Sequence, residues 1–225
     1  DLAHCSAEEK FPWIIIAIGD DRAMADCDLV WLLGEDPAEG SDWDWVKPGK
    51  VAWEWWNGWN VKGVDFKAGI NNDTYKFYID FAAEYGIEYV ILDEGWSVKG
   101  AADLMKVVPE IDIKELVDYA AARNVGIILW AGYWAFDRDM ENICRHYSSL
   151  GVKGFKIDFM DRDDQMMVAF HSRAAATAAK YRLLVDFHGT YKPSGLSRTW
   201  PNVLNYEGVF RSEERRVGKE CQIWC

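Results

Sequence analysis

Hydrophobic residues in this chain gather into short runs, separated by longer stretches in which apolar side chains recur every three or four positions. Val51 to Trp56, Tyr89 to Leu92, Gly126 to Trp130, Gly154 to Asp158, Leu183 to His188 and Asn202 to Glu207 are runs of strand length. Between them the spacing predicts helices over about 72–85, 113–123, 138–150 and 165–181. In the first of these, Phe77, Phe81 and Tyr85 recur every four residues, Asn72 or Asp73 can cap the start, and Gly86 stops the end. Apolar strands that alternate with amphipathic helices predict an α/β fold with a parallel sheet covered on both faces.

Two all-parallel architectures fit that alternation, and the polar residues separate them. A doubly wound sheet carries a Gly-rich phosphate turn after an early strand and gathers its chemistry at one switch point. Here no such turn occurs, and polar tips follow every strand, which favours a (β/α)8 TIM barrel truncated after about six strands, over residues 50–210. Residues 1–36 read differently, as two strands, Phe11 to Ile18 and Asp28 to Leu33, that finish a preceding β domain. An acidic stretch with Gly and Pro over 37–49 reads as the linker. Residues 211–225 lose the apolar period where a seventh unit should begin and resemble translated adaptor sequence foreign to the rest.

Composition narrows the partners. With 50% hydrophobic and 28% charged residues the chain suits a folded domain, and its net charge of −12 disfavours nucleic acid and anionic membrane surfaces. No apolar run approaches the roughly 20 residues of a membrane span, so membrane insertion is not expected. The 13 Trp residues suit either a cleft that stacks on sugar rings or a large core. The five cysteines lack metal-ligand spacing and leave the compartment open. No signal peptide precedes Asp1, and a start without Met reads as a fragment.

Strand parity locates the candidate chemistry. In Gly154-Phe155-Lys156-Ile157-Asp158-Phe159 side chains alternate, so Lys156 and Asp158 share one face while Phe155, Ile157 and Phe159 take the other. At a barrel mouth this sets a carboxylate beside a fixed cation. The remaining strand ends contribute Trp53, Trp55 and Asn57; Asp93, Glu94 and Trp96; Trp130 and Tyr133; Asp161; Asp186 and His188; and Asn205 and Glu207. Carboxylates under aromatic walls are what glycosidic cleavage requires, one attacking or activating water and the other protonating the leaving oxygen. The plainer alternatives are an ion pair of Asp158 with Lys156, and helix caps at Asp93, Asp186 and Glu207.

The run Lys47-Pro48-Gly49-Lys50-Val51-Ala52-Trp53-Glu54-Trp55-Trp56-Asn57 resembles glycoside hydrolase family 97. So do Asp65 to Asn71, Tyr89 to Trp96, Gly154 to Phe159 and Asn205 to Val209, in that order along the chain. The resemblance implies a β-sandwich before a (β/α)8 barrel, a calcium ion in the active site, oligosaccharide or α-galactoside substrates cleaved at a terminal α-linked sugar, and a periplasmic or extracellular location. It also implies roles: Asp158 as nucleophile, Lys156 with Trp53, Trp55, Asp93, Trp130 and His188 on the terminal sugar, and Glu207 on calcium. Inverting α-glucosidases of the family lack an aspartate at position 158 and carry a glutamate after the strand-five histidine. This chain has Asp158, and Gly189 follows His188, as in the retaining α-galactosidase branch. The family acid/base lies six residues beyond the metal glutamate, a spacing met by Glu213, although Arg211 and Ser212 interrupt the pattern. The alternatives are an inverting α-glucosidase of the same family, or a carbohydrate-binding barrel in which the indoles stack sugars and the carboxylates only hydrogen-bond.

Overall fold

The computed structural model describes residues 5, 6, 8, 14–39 and 42–207. Its N-terminal part holds two short helices, α1 (Asp21–Ala25) and α2 (Leu29–Leu32). Strand β1 (Val51–Trp53) leads through a 3-10 turn at Glu54–Asn57 to α3 (Asn72–Glu84) and β2 (Tyr89–Leu92). Then come α4 (Ile113–Ala121), β3 (Gly126–Gly132), α5 (Tyr133–Arg138), α6 (Met140–Leu150), β4 (Gly154–Asp158), α7 (Gln165–Lys180), β5 (Leu184–Phe187), α8 (Leu196–Thr199) and β6 (Val203–Tyr206).

All six strands form one sheet in the order β1-β2-β3-β4-β5-β6, every neighbouring pair parallel. Sequential order without a reversal is the signature of a barrel rather than a doubly wound sheet. The described residues form six consecutive strands of a (β/α)8 barrel. The sheet's outer face, with Val90, Leu92, Ile127, Leu129, Phe155, Ile157, Val185 and Phe187, packs under the helices in one continuous core. On the inner face Tyr89, Ile91, Ile128 and Leu184 make a smaller apolar floor, with Trp53 packed against it. Gly154 sits in that floor because a Cβ there would come within 2.4 Å of the Leu184 carbonyl oxygen.

Local chemistry explains the element ends. Asn71 caps α3 by accepting the Thr74 N–H at 2.9 Å, so the cap stands one residue before the expected Asn72 or Asp73. Gly86 ends the helix at φ 61°, a left-handed turn that glycine adopts without strain. The helix buries Tyr75, Tyr78, Ile79 and Ala82, whereas Phe77, Phe81 and Tyr85, the expected core stripe, are exposed. Both stripes are aromatic-rich, and periodicity alone does not choose between them.

Three further expectations are corrected. Residues 28–33, read as a strand, contain helix α2, and the described residues 14–18 of the other expected strand take no regular element. A lone strand leaves its N–H and C=O groups unpaired, while a helical turn satisfies its own. Second, β1 stops at Trp53, and Glu54 to Trp56 turn away in a 3-10 helix. Third, Phe159 leaves the alternation of β4 at φ 67° and is exposed. Segment 31–38 is tied to the barrel through Arg198, which bonds Asp36 Oδ1 at 2.7 Å, and through Ala38 N–H, which donates to the Thr199 carbonyl at 3.0 Å. The expected foreign tail lies outside the described residues.

Candidate active site

Parallel register places the polar strand tips on one rim. Trp130 stands opposite Lys156, Lys156 opposite Asp186, and Asp186 opposite Asn205, so four strands contribute one inward-facing layer above the apolar floor. Asp158 lies one layer higher, at the C-terminal end of β4, where barrel enzymes place their reacting groups.

Lys156 is buried, with its side chain 3% exposed, and its Nζ meets Asp93 Oδ2 at 2.8 Å and Asp158 Oδ2 at 3.3 Å. The Trp53 ring lies under the same ammonium, 4.4 Å from ring centroid to Nζ. Asp93 Oδ2 also accepts the Trp53 indole N–H at 2.5 Å. Two carboxylates and an indole therefore replace the water a buried cation loses, and taking away any one partner exposes the desolvation cost of the others.

Asp158 has both oxygens held. Oδ2 faces Lys156 and accepts the Trp130 indole N–H at 3.2 Å, while Oδ1 accepts the Phe159 backbone N–H at 2.8 Å. The carboxylate is nonetheless open to the mouth, its side chain 13% exposed. Phe159 and Asp161, at φ 67° and 49°, turn the chain sharply after the strand, a backbone strain that clusters at functional sites. Gly189 closes the other side at φ 55°, and a Cβ there would stand 3.2 Å from Asp158 Oδ1. Glycine at 189 is what leaves room for that carboxylate.

A second network runs along β5 and β6. Asn205 Nδ2 donates to Asp186 Oδ1 at 3.0 Å, His188 Nε2 lies 3.1 Å from Asp186 Oδ2, and His188 Nδ1 lies 2.8 Å from Glu207 Oε1. The Gly189 N–H donates to Glu207 Oε2 at 2.9 Å. His188 also meets the Trp53 ring edge-on, with centroids 5.8 Å apart, which links the two networks. Among the described residues no group of three or more His, Cys, Asp or Glu is arranged to hold a metal ion. Glu207 offers the carboxylate oxygen chemistry calcium takes, but calcium wants roughly six to eight oxygens, and one glutamate beside a histidine ring supplies a small part of that.

Of the expected sugar-binding side chains, Trp53, Asp93, Lys156, Trp130 and His188 thus converge on Asp158 or its neighbours. Trp55 stacks on Trp53 with centroids 5.5 Å apart and planes at 16°, extending the aromatic wall outward. Trp96, also at a strand end, is fully buried and donates its indole N–H to the Trp130 carbonyl at 2.9 Å, so it supports the rim from behind. Glu213 lies outside the described residues. Sequence reading missed Glu54, a fully buried carboxyl against Asp93. Its signal was a charged residue inside an aromatic run.

A parallel barrel with an acidic, indole-lined mouth at the C-terminal ends of its strands defines the class. Residues 55–209 match the family model Glycoside hydrolase 97, and the chain belongs to that family. A retaining α-galactosidase of Bacteroides thetaiotaomicron is 62% identical over 216 residues, covering 96% of this chain and 32% of its own length. A solved family 97 enzyme from Pseudoalteromonas sp. strain K8, in complex with acarbose, superposes with a TM-score of 0.69 at 26% identity, covering 80% of this chain and 32% of that one. A solved β-arabinopyranosidase gives 0.62 at 27% identity, covering 83% and 30%. The chain spans about a third of the length of these relatives.

Proposed function

We propose that this chain carries the nucleophile half of a retaining exo-α-galactosidase, with Asp158 as the attacking group. The observation that carries the reading is Asp158 itself: a carboxylate open to the mouth, both oxygens oriented, and a glycine at 189 leaving its front uncrowded. The bacterial relative named a retaining α-galactosidase supports it.

An oxygen of Asp158 bonds to the anomeric carbon as the bond to the leaving oxygen breaks, and a glutamate at or near Glu213 gives that oxygen its proton. Water then adds to the same carbon, passes its proton to the glutamate, and frees the Asp158 carboxylate. Two inversions leave the configuration unchanged. Lys156 donates one hydrogen bond to Asp93 and faces Asp158 as an ion-pair partner, and in this reading another of its donors reaches a sugar hydroxyl. Trp53, Trp55 and Trp130 wall the terminal sugar, and Asp93 and His188 fix the groups that touch it.

Calcium at Glu207 belongs to the same proposal, with its other oxygens supplied from outside the described residues; when bound it supplies positive charge at the rim. Its test is a chelator, which should lower turnover reversibly in the full-length protein. A periplasmic or extracellular location belongs to the same proposal and rests on the resemblance to the family.

The deciding experiment follows the first-formed sugar by NMR as the full-length protein cleaves an aryl α-galactoside. α-Galactose first supports the reading, and β-galactose first overturns retention. Turnover of an aryl α-glucoside alone would move the protein to the inverting α-glucosidase alternative. Neither substrate being cleaved leaves the carbohydrate-binding barrel.

A further inference from the structure

Glu54 is fully buried directly after β1, and nothing in the proposed chemistry uses it. One of its oxygens does all the bonding. Oε1 accepts the Tyr75 hydroxyl at 2.8 Å, the Asp93 backbone N–H at 2.8 Å and the Trp59 indole N–H at 3.1 Å. Oε2 meets no hydrogen-bond partner among the described residues. The three donors on Oε1 favour the anion, whereas full burial and the undonated Oε2 favour the neutral acid, because a buried hydroxyl without an acceptor costs far less than a buried anionic oxygen without a donor.

The cradle leads to the nucleophile in three steps. Glu54 holds the backbone of Asp93, the Asp93 carboxylate holds Lys156 at 2.8 Å, and Lys156 faces Asp158 at 3.3 Å. The ionisable groups facing Glu54 are Tyr75 and Tyr78 from α3 and Asp93 from the end of β2, with Lys156 of β4 reached through Asp93. Among the described residues no cation touches Glu54 directly, so ionisation would set a second negative charge against Asp93.

We propose that Glu54 is a positioning residue: while neutral it seats Asp93 so that Lys156 is shared with Asp158, and on ionising it draws Lys156 toward Asp93 and slows the reaction. Burial pushes the Glu54 carboxyl up to about 7, against the pull of the Asp93 N–H and Tyr75 hydroxyl. The switch therefore falls in the neutral range.

The inference rests on the α-galactosidase reading for its kinetic readout, and its spectroscopic readout does not. In the full-length protein, kcat/KM on an aryl α-galactoside should fall about fivefold or more as pH rises through neutrality. E54Q, whose amide oxygen keeps the three hydrogen bonds and cannot ionise, should lose that component and keep only the limb set by the acid/base glutamate. Tyr75→Phe removes a donor that favours the anion, so its limb should move to higher pH. A merely structural tyrosine would not move the limb at all. Infrared difference spectra of wild type against E54Q should show a protonated carboxyl C=O band that disappears through the same range. A limb of unchanged position in E54Q or Tyr75→Phe, or no such band below neutrality, would overturn the inference. If the protein cleaves no α-galactoside, the functional reading fails and the infrared titration alone decides Glu54.

Discussion

The two faces of the sheet obey different rules although they are built from the same residues in alternation. Outward, Phe155, Ile157 and Phe187 are buried under helices in a continuous apolar core. Inward, the same strands present an apolar floor at one end and Lys156, Asp158, Asp186 and Asn205 at the other. The outer face is chosen by packing, where volume matters and chemistry does not. The inner rim is chosen by chemistry, and it keeps a buried lysine, a buried glutamate and a strained turn that packing alone would remove.

Substitutions on the two faces should therefore fail differently. The largest effect belongs to the rim: Asp158→Ala should cut turnover by at least ~10³-fold, with a fall in Tm from the partner that Lys156 loses, and azide should restore turnover as glycosyl azide. Next comes the outer face, one residue from Lys156 along β4. Phe155→Ala should destabilise the fold by about 3–5 kcal/mol, measured by urea unfolding, while the protein that stays folded keeps its kcat.

Glu54 gives the rim a pH-dependent stability that is lost as pH rises. Its folded value of about 7 lies above the ordinary 4.5, so burial destabilises the ionised protein. Wild type should match E54Q below about 4.5 and lose ground as pH rises to about 7, by on the order of 3 kcal/mol at the plateau. Parallel unfolding curves at all pH values would contradict this. The smallest effect should come from Gly189→Ala, at about 1–2 kcal/mol of backbone strain. Because the new methyl would crowd Asp158 Oδ1, kcat should drop more than that strain implies.

The same contrast explains what the sequence disclosed. Strand runs such as Tyr89 to Leu92 and Gly126 to Trp130 are apolar on both faces, and their order read directly as a parallel barrel. Parity alone put Lys156 beside Asp158, and the structure places them 3.3 Å apart. What stayed hidden depends on partners distant in sequence. Tyr75 faces the core and Phe77 faces outward, although α3 offers both as aromatic stripes. Residues 29–32 have strand-like side chains and fold as a helix. Glu54 looked like the polar side of a strand until the 3-10 turn and Asp93 enclosed it.

The central claim is that Asp158 forms a covalent bond to the sugar. It is tested most directly by treating the full-length protein with an activated fluorinated α-galactosyl donor that slows hydrolysis of the intermediate, then mapping the added mass by peptide sequencing. A single glycosyl group esterified to Asp158 is the predicted result. A label on any other residue, or full turnover by Asp158→Ala with no label anywhere, would contradict it.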